Sequence, residues 1–151
     1  MVSPELQRKF PDLQANNAAV VREFRANAGR VRESFTRGEV LLLTTTGAKS
    51  GVPHTVPLTY LKDADDLYVI GSSGGHRTHP AWYRNLVANP TVRVEIGDQS
   101  YMADAETVTG DHHDRIWRKL VAASPRYADY AKDAAGYRTI PVIHLRRRST
   151  D

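Results

Sequence analysis

The residues with most chemistry to offer lie in Thr44-Thr-Thr-Gly-Ala-Lys-Ser-Gly51, where an apolar, β-branched run enters a turn of small residues and leaves through Pro53 and Pro57. Gly47 and Gly51 let the backbone turn closely. Lys49 brings a mobile positive charge and Ser50 a hydroxyl. His54, three residues after Gly51, brings an imidazole that takes up a proton near neutral pH. With backbone N–H groups added, this set suits an anion such as a phosphate. It is not a Walker A loop, because the glycine-to-lysine spacing differs and a strand follows instead of a helix. A solvated hairpin tip is the competing reading.

A second segment, Gly71-Ser-Ser-Gly-Gly-His-Arg-Thr-His-Pro80, joins an apolar strand to a helix. Adjacent glycines offer no packing and fit a place where backbone approaches a ligand. Ser72, Ser73, His76 and Arg77 add donors, and a helix opening at Pro80 adds the positive end of its dipole. A flexible polar loop would have the same composition. Just beyond it, Trp82 shares a helical face with Leu86, so it either packs that helix on the core or walls a planar heterocycle. Tyr127 and Tyr130, three apart, either line an aromatic pocket and donate to developing negative charge, or bridge a helix to the sheet. Tyr137 follows them as a third, more distant phenol.

Other chemistries are excluded. The 151-residue chain has no cysteine, which rules out thiolate metal sites, iron–sulfur clusters and cysteine nucleophiles. His112-His113 is adjacent and cannot aim two imidazoles at one metal from a helix, so it reads as solvated surface. Asp63, Asp65 and Asp66 are too short a run for a calcium loop. No serine stands in a nucleophile-elbow pattern, and no metal is expected. The formal charge of +4 suits an anionic small ligand. The basic tail His144-Leu-Arg-Arg-Arg148 lacks any recognition motif, so no nucleic-acid partner is expected.

These groups need elements to hold them. Apolar residues at helical spacing predict a helix over residues 12–28, amphipathic and basic, which packs on the domain or touches an anionic membrane surface. Strands are expected over 40–46, 53–61, 67–72, 91–96, 99–108 and 140–146, with turns at Asp63–Asp66 and Gly97-Asp98. Helices are expected from Pro80 to Ala88, over 111–123, and from Ser124-Pro125 to Ala131. Hairpins dominate and βαβ spacing is missing, so the fold class is mainly antiparallel β with packed helices, as one domain over residues 1–151. The chain has no apolar run of spanning length and no apolar leader. A cytoplasmic location follows, with membrane association through the first helix as the alternative.

Taken together, the motifs resemble the deazaflavin (coenzyme F420)-dependent nitroreductase family. The likeness rests on Leu42–Gly51, on His79-Pro80-Ala81-Trp82-Tyr83 with Asn85-Leu86 and Ala88-Asn89-Pro90, and on Thr139–Leu145. It also includes Phe24–Asn27 with Gly29-Arg30-Val31. The resemblance implies a split β-barrel that binds F420. Lys49, Ser50 and His54 would meet the phosphate and acidic tail, and Val56 and Pro57 would lie along the cofactor. Ile70, Gly71, Ser72 and Ser73 would contact the ring, with Ala81 and Trp82 flanking it. Tyr127, Tyr130 and Tyr137 would face the acceptor as the catalytic side. Ala48, His54 and Ser73 depart from the family, which often carries a basic residue at the first and third and arginine at the second. The implied reaction is hydride transfer to a nitroaromatic, quinone or enone. An FMN-dependent oxidoreductase and a non-catalytic F420 carrier are the alternatives, and the protein would be a monomer or homodimer.

Overall fold

Residues 13–29, 40–75 and 77–148 are described by the computed structural model. His76 lies outside the described residues, as do Arg30 and Val31.

Six antiparallel strands close a barrel. They are β1 (Val40–Thr46), β2 (Pro53–Asp63), β3 (Asp66–Ile70), β4 (Thr91–Ile96), β5 (Gln99–Thr107) and β6 (Val142–Arg147). Their order around the barrel is β1-β2-β3-β6-β5-β4, and β4 pairs back onto β1. Helices α1 (Leu13–Ala26), α2 (Ala81–Ala88), α3 (Gly110–Ala123) and α4 (Arg126–Ala134) lie outside it.

Strand alternation explains why the apolar runs look continuous in sequence. Leu41 and Leu43 point into the barrel with Leu67, Val69, Val92, Val94 and Ile143. Val40 and Leu42 point outward, beneath Phe24 of α1. Tyr68, Ile70 and Val142 also point outward, beneath Ile116 and Leu120 of α3 and Tyr127 and Ala134 of α4. A strand covered on both faces loses its polar alternation. Truncating a fully buried residue such as Leu41 to alanine would cost about 2–5 kcal/mol.

Helix α1 packs Val20 and Phe24 inward, and Arg25 reaches Glu95 of β4 with two bonds of 3.2 and 3.0 Å. Its apolar face is therefore covered by the barrel, and membrane contact finds no support. Among the described residues no helix is long and apolar enough to cross a membrane.

His112 is exposed, as the neighbouring acids suggested, whereas His113 is half-buried, and both rings have partners. His112 Nε2 is 2.8 Å from the Tyr68 hydroxyl, and His113 stacks on Trp117 with ring centroids 5.9 Å apart. Strand β6 starts at Val142, two residues later than expected: Pro141 O still accepts the Gly71 N–H in the β3–β6 register, but Pro141 has no N–H to return the bond, and Ile140 O meets His113.

Candidate functional site

Strand β2 changes partner along its length, and the site is built where it does. Residues 53–59 pair with β1, from Thr46↔Pro53 to Val40↔Thr59. Residues 60–63 pair with β3, from Tyr60↔Val69 to Asp63↔Asp66. Continued further, the second register would set Leu58 against Gly71 and Pro57 against Ser72, but β3 ends at Ile70 and turns away. The far edge of residues 53–59 thus pairs with no strand among the described residues. Pro57, which has no N–H to give, is tolerated in such a strand. Residues 55–61 are all half-buried, whereas the neighbouring β1 and β3 are almost wholly buried. The loop that carries Gly71, Ser72 and Ser73 begins where β3 stops pairing with β2.

One end of this groove is cationic. The β1–β2 turn is closed by Gly47 N–H donating to Val52 O at 2.8 Å and Gly51 N–H to Gly47 O at 3.0 Å. Ser50 Oγ accepts the Val52 N–H at 3.1 Å, so its own proton remains to be donated. Ser50 Oγ and His54 Nε2 both lie against Gly47, where a Cβ would collide with the first and come within 3.3 Å of the second. Lys49 is exposed and has no partner among the described residues. No carboxylate occurs from Val40 to Lys62.

Helix α2 holds the turn in shape. The Asn85 side-chain oxygen accepts the Ala48 N–H at 3.0 Å and its nitrogen donates to the buried Thr45 hydroxyl at 3.3 Å. Asn89 donates to Thr46 O at 3.3 Å. Ala81 and Trp82 are half-buried, and Trp82 packs on the barrel core edge-on to Tyr83.

Two glycines of the loop are required by packing. A Cβ on Gly71 would stand 2.7 Å from Pro141 Cγ. Gly75 has φ +83°, and a Cβ there would lie 3.0 Å from Tyr130 Cα of α4. The short 3₁₀ turn Ser73–Gly75 is thereby seated on α4.

Helix α4 closes the other end. Tyr127 is buried, with its hydroxyl 3.2 Å from Thr59 Oγ1 on β2, and its ring meets Tyr130 edge-on at 5.5 Å. Tyr130 is half-buried. Tyr137 stands apart from the pair. It is 65% exposed, lies under the Arg77 guanidinium at 5.8 Å, and lines a separate cleft of about 600 Å³ with His113, Trp117, Ala131, Ala135, Gly136, Arg138, Thr139 and Ile140.

Sequence reasoning missed Arg138. Its guanidinium donates to Gly71 O at 2.8 Å and Ser72 O at 2.7 Å, and lies 3.1 Å from His79 Nδ1. A guanidinium only donates, so His79 Nδ1 accepts and the ring is the neutral Nε2–H tautomer. Burial, then the nearby charges of Arg138 and Arg84, hold the His79 pKa below its usual 6.5. The signal was weak: Arg138 is one arginine among many near the end of the chain.

The β1–β2 turn thus offers Lys49 and the Ser50 hydroxyl in a stretch without a carboxylate, beside the unpaired edge of residues 53–59. A family model described as F420H(2)-dependent quinone reductase matches residues 17–146. An F420H(2)-dependent quinone reductase of Mycobacterium tuberculosis is 39% identical over 111 residues, covering 72% of this chain and 73% of the relative. A solved F420-H2 dependent reductase (FDR-A) is 38% identical with a TM-score of 0.63, over 70% of this chain and 92% of that one. A structure described as a domain-swapped dimer is 34% identical with a TM-score of 0.66, over 83% of this chain and 93% of that one.

Proposed function

Since this chain belongs to the F420H(2)-dependent quinone reductase family, and so is an F420-dependent oxidoreductase, we propose that the open edge of β2 is where it holds the deazaflavin and that a quinone is the acceptor. The observation that carries this is the edge of residues 53–59, which pairs with no strand among the described residues and starts at a cationic turn without a carboxylate. Lys49, Ser50 and His54 take the phosphate and acidic tail. Val56 and Pro57 line the edge, Ile70, Gly71, Ser72 and Ser73 lie opposite, and Ala81 and Trp82 flank the ring.

When bound, the reduced cofactor supplies a hydride. The chain supplies no nucleophile or metal to that chemistry. Its own groups neutralise the tail, fix the ring face and exclude water from it. Tyr130, half-buried beside the buried Tyr127, is the phenol placed to donate to charge on the acceptor oxygen. Tyr127 supplies a ring wall, since its hydroxyl is engaged by Thr59. Tyr130, Ala131 and Trp117 pack on one apolar cluster, so an apolar substituent of the quinone has a path toward the outer cleft that Tyr137 borders. A quinone replaces the nitro compound that the first resemblance emphasised, because the matching family and relative are named for quinones. We infer a cytoplasmic location.

Fluorescence titration with F420 and with FMN tests the cofactor site. F420 should bind with at least about tenfold preference; equal affinities, or a preference for FMN, would overturn it. Steady-state rates with reduced F420 across quinone, nitro and enone acceptors test the rest, with quinones expected to turn over fastest.

A further inference from the structure

We propose that Arg138 is the positioning residue of the cofactor groove, fixing the Gly71–Gly75 loop through two carbonyl bonds while holding His79 at the mouth of α2. This rests on the reading of that groove as the deazaflavin site.

A loop beside a ligand must keep its shape without the ligand if binding is not to lose the ordering entropy. The far end of the Gly71–Gly75 loop is seated on α4, but its near end has few backbone bonds of its own. Gly71 N–H makes a last sheet-like bond to Pro141 O at 3.0 Å, which proline cannot return, and Gly75 N–H closes only a local turn on Ser72 O at 2.8 Å. Arg138 satisfies the Gly71 and Ser72 carbonyls from one planar group, with bonds of 2.8 and 2.7 Å. The fork geometry is what allows a single side chain to fix two successive peptide units.

The same guanidinium meets His79 Nδ1 at 3.1 Å, and His79 O accepts from Arg84 at 3.0 Å. His79 also lies 4.8 Å from the Tyr83 ring. Arg138 thus ties three pieces together: the Gly71–Gly75 loop, the entry to α2 and the chain leading into β6. Burial, then Arg138 and Arg84, the charged groups set against His79 among the described residues, favour the neutral imidazole, whose Nδ1 meets Arg138.

The test compares wild type with Arg138→Gln and Arg138→Lys. In the protein without cofactor, amide exchange at Ser72–Gly75 should rise at least about tenfold in Arg138→Gln, while the β1 and β4 amides stay protected. The His79 imidazole, followed by NMR, should titrate at higher pH in Arg138→Gln and stay low in Arg138→Lys, which keeps the charge. F420 affinity should fall about tenfold or more in Arg138→Gln and only partly recover in Arg138→Lys, because an ammonium cannot bond both carbonyls in the fork geometry. Unchanged loop exchange in a folded Arg138→Gln protein would overturn the proposal. So would full recovery of exchange and affinity by lysine. Should the glutamine variant fail to fold, Arg138→Lys alone decides, through the same loop exchange. If wild type failed to bind F420, the cofactor reading would fall while the exchange and NMR arms still judged the clamp.

Discussion

The Asn85 side-chain oxygen accepts the Ala48 N–H at 3.0 Å, across 37 positions of chain, while its nitrogen reaches Thr45. One carboxamide therefore sets the distance between helix α2 and the β1–β2 turn. Asn85→Leu leaves the Ala48 amide and the buried Thr45 hydroxyl without these partners. The expected cost is about 1–3 kcal/mol of stability, read as a lower urea midpoint at unchanged slope. F420 affinity should fall with it, because Lys49 and Ser50 follow Ala48 directly. A variant as stable and as tight as wild type would detach the turn from the helix.

Lys49 tests the charge of that turn without touching its scaffold. It is exposed and has no partner among the described residues, so Lys49→Ala should leave thermal stability unchanged. F420 affinity should weaken roughly fivefold or more at low salt. Raising ionic strength should weaken wild type more than the variant, since an exposed contact is screened. Parallel salt curves for the two proteins would put the tail elsewhere.

One acid-sensitive staple joins the end of β2 to α3. Asp63, at the β2–β3 turn, takes Lys119 at 2.6 Å and Arg115 at 2.5 Å from α3. The Lys119 bond, then the Arg115 bond, lower its pKa from 3.8 to about 2. A depressed carboxylate pKa means stability that is present above pH 3.8 and lost as pH falls toward 2. Asp63→Asn should flatten that part of the stability–pH curve while leaving the neutral region's slope unchanged. Because the pair is solvent-exposed, the gain at neutral pH is modest. An acid limb with the wild-type steepness in Asp63→Asn would assign the loss to other carboxylates.

Much of the barrel was legible because strand patterns are local. Val92, Val94 and Ile96 alternate with Arg93 and Glu95, and β4 came out at Thr91–Ile96 as expected. The proline rules placed α2 within a residue: Pro80 precedes it, and it stops before Asn89-Pro90. Helix α4 runs on to Ala134, three residues past the expected end, because Lys132, Asp133 and Ala134 offer nothing to stop a helix before Gly136. What stayed hidden is non-local. No periodicity reveals that β2 changes partner at Tyr60, since both halves are ordinary strand. The glycines of the 71–75 loop read the same whether a ligand or a helix comes close, and here Pro141 and Tyr130 do. Arg138 shows nothing of itself in composition, because its importance lies in two carbonyls more than sixty positions away.

The two tyrosines of α4 should separate into different jobs. Tyr127 is 7% exposed, and its hydroxyl pairs with Thr59 Oγ1 at 3.2 Å. Tyr127→Phe should therefore act on stability, by about 1 kcal/mol, and do so only while Thr59 is present. A double-mutant cycle with Thr59→Val reads that coupling directly. Tyr127→Ala should do more, since it also removes a ring from the core and from the wall of the acceptor pocket. Tyr130 is only half-buried and stands edge-on to Tyr127, with its hydroxyl assigned to no described partner. Tyr130→Phe should keep F420 affinity and stability while lowering quinone turnover, by an amount equivalent to about 1–3 kcal/mol in the barrier if the phenol meets developing charge. The loss should appear in kcat more than in KM. Turnover that is unchanged in Tyr130→Phe would move proton or charge stabilisation to another donor. A parallel loss of cofactor affinity would make Tyr130 part of the ring pocket, which its backbone contact with Gly75 would readily explain.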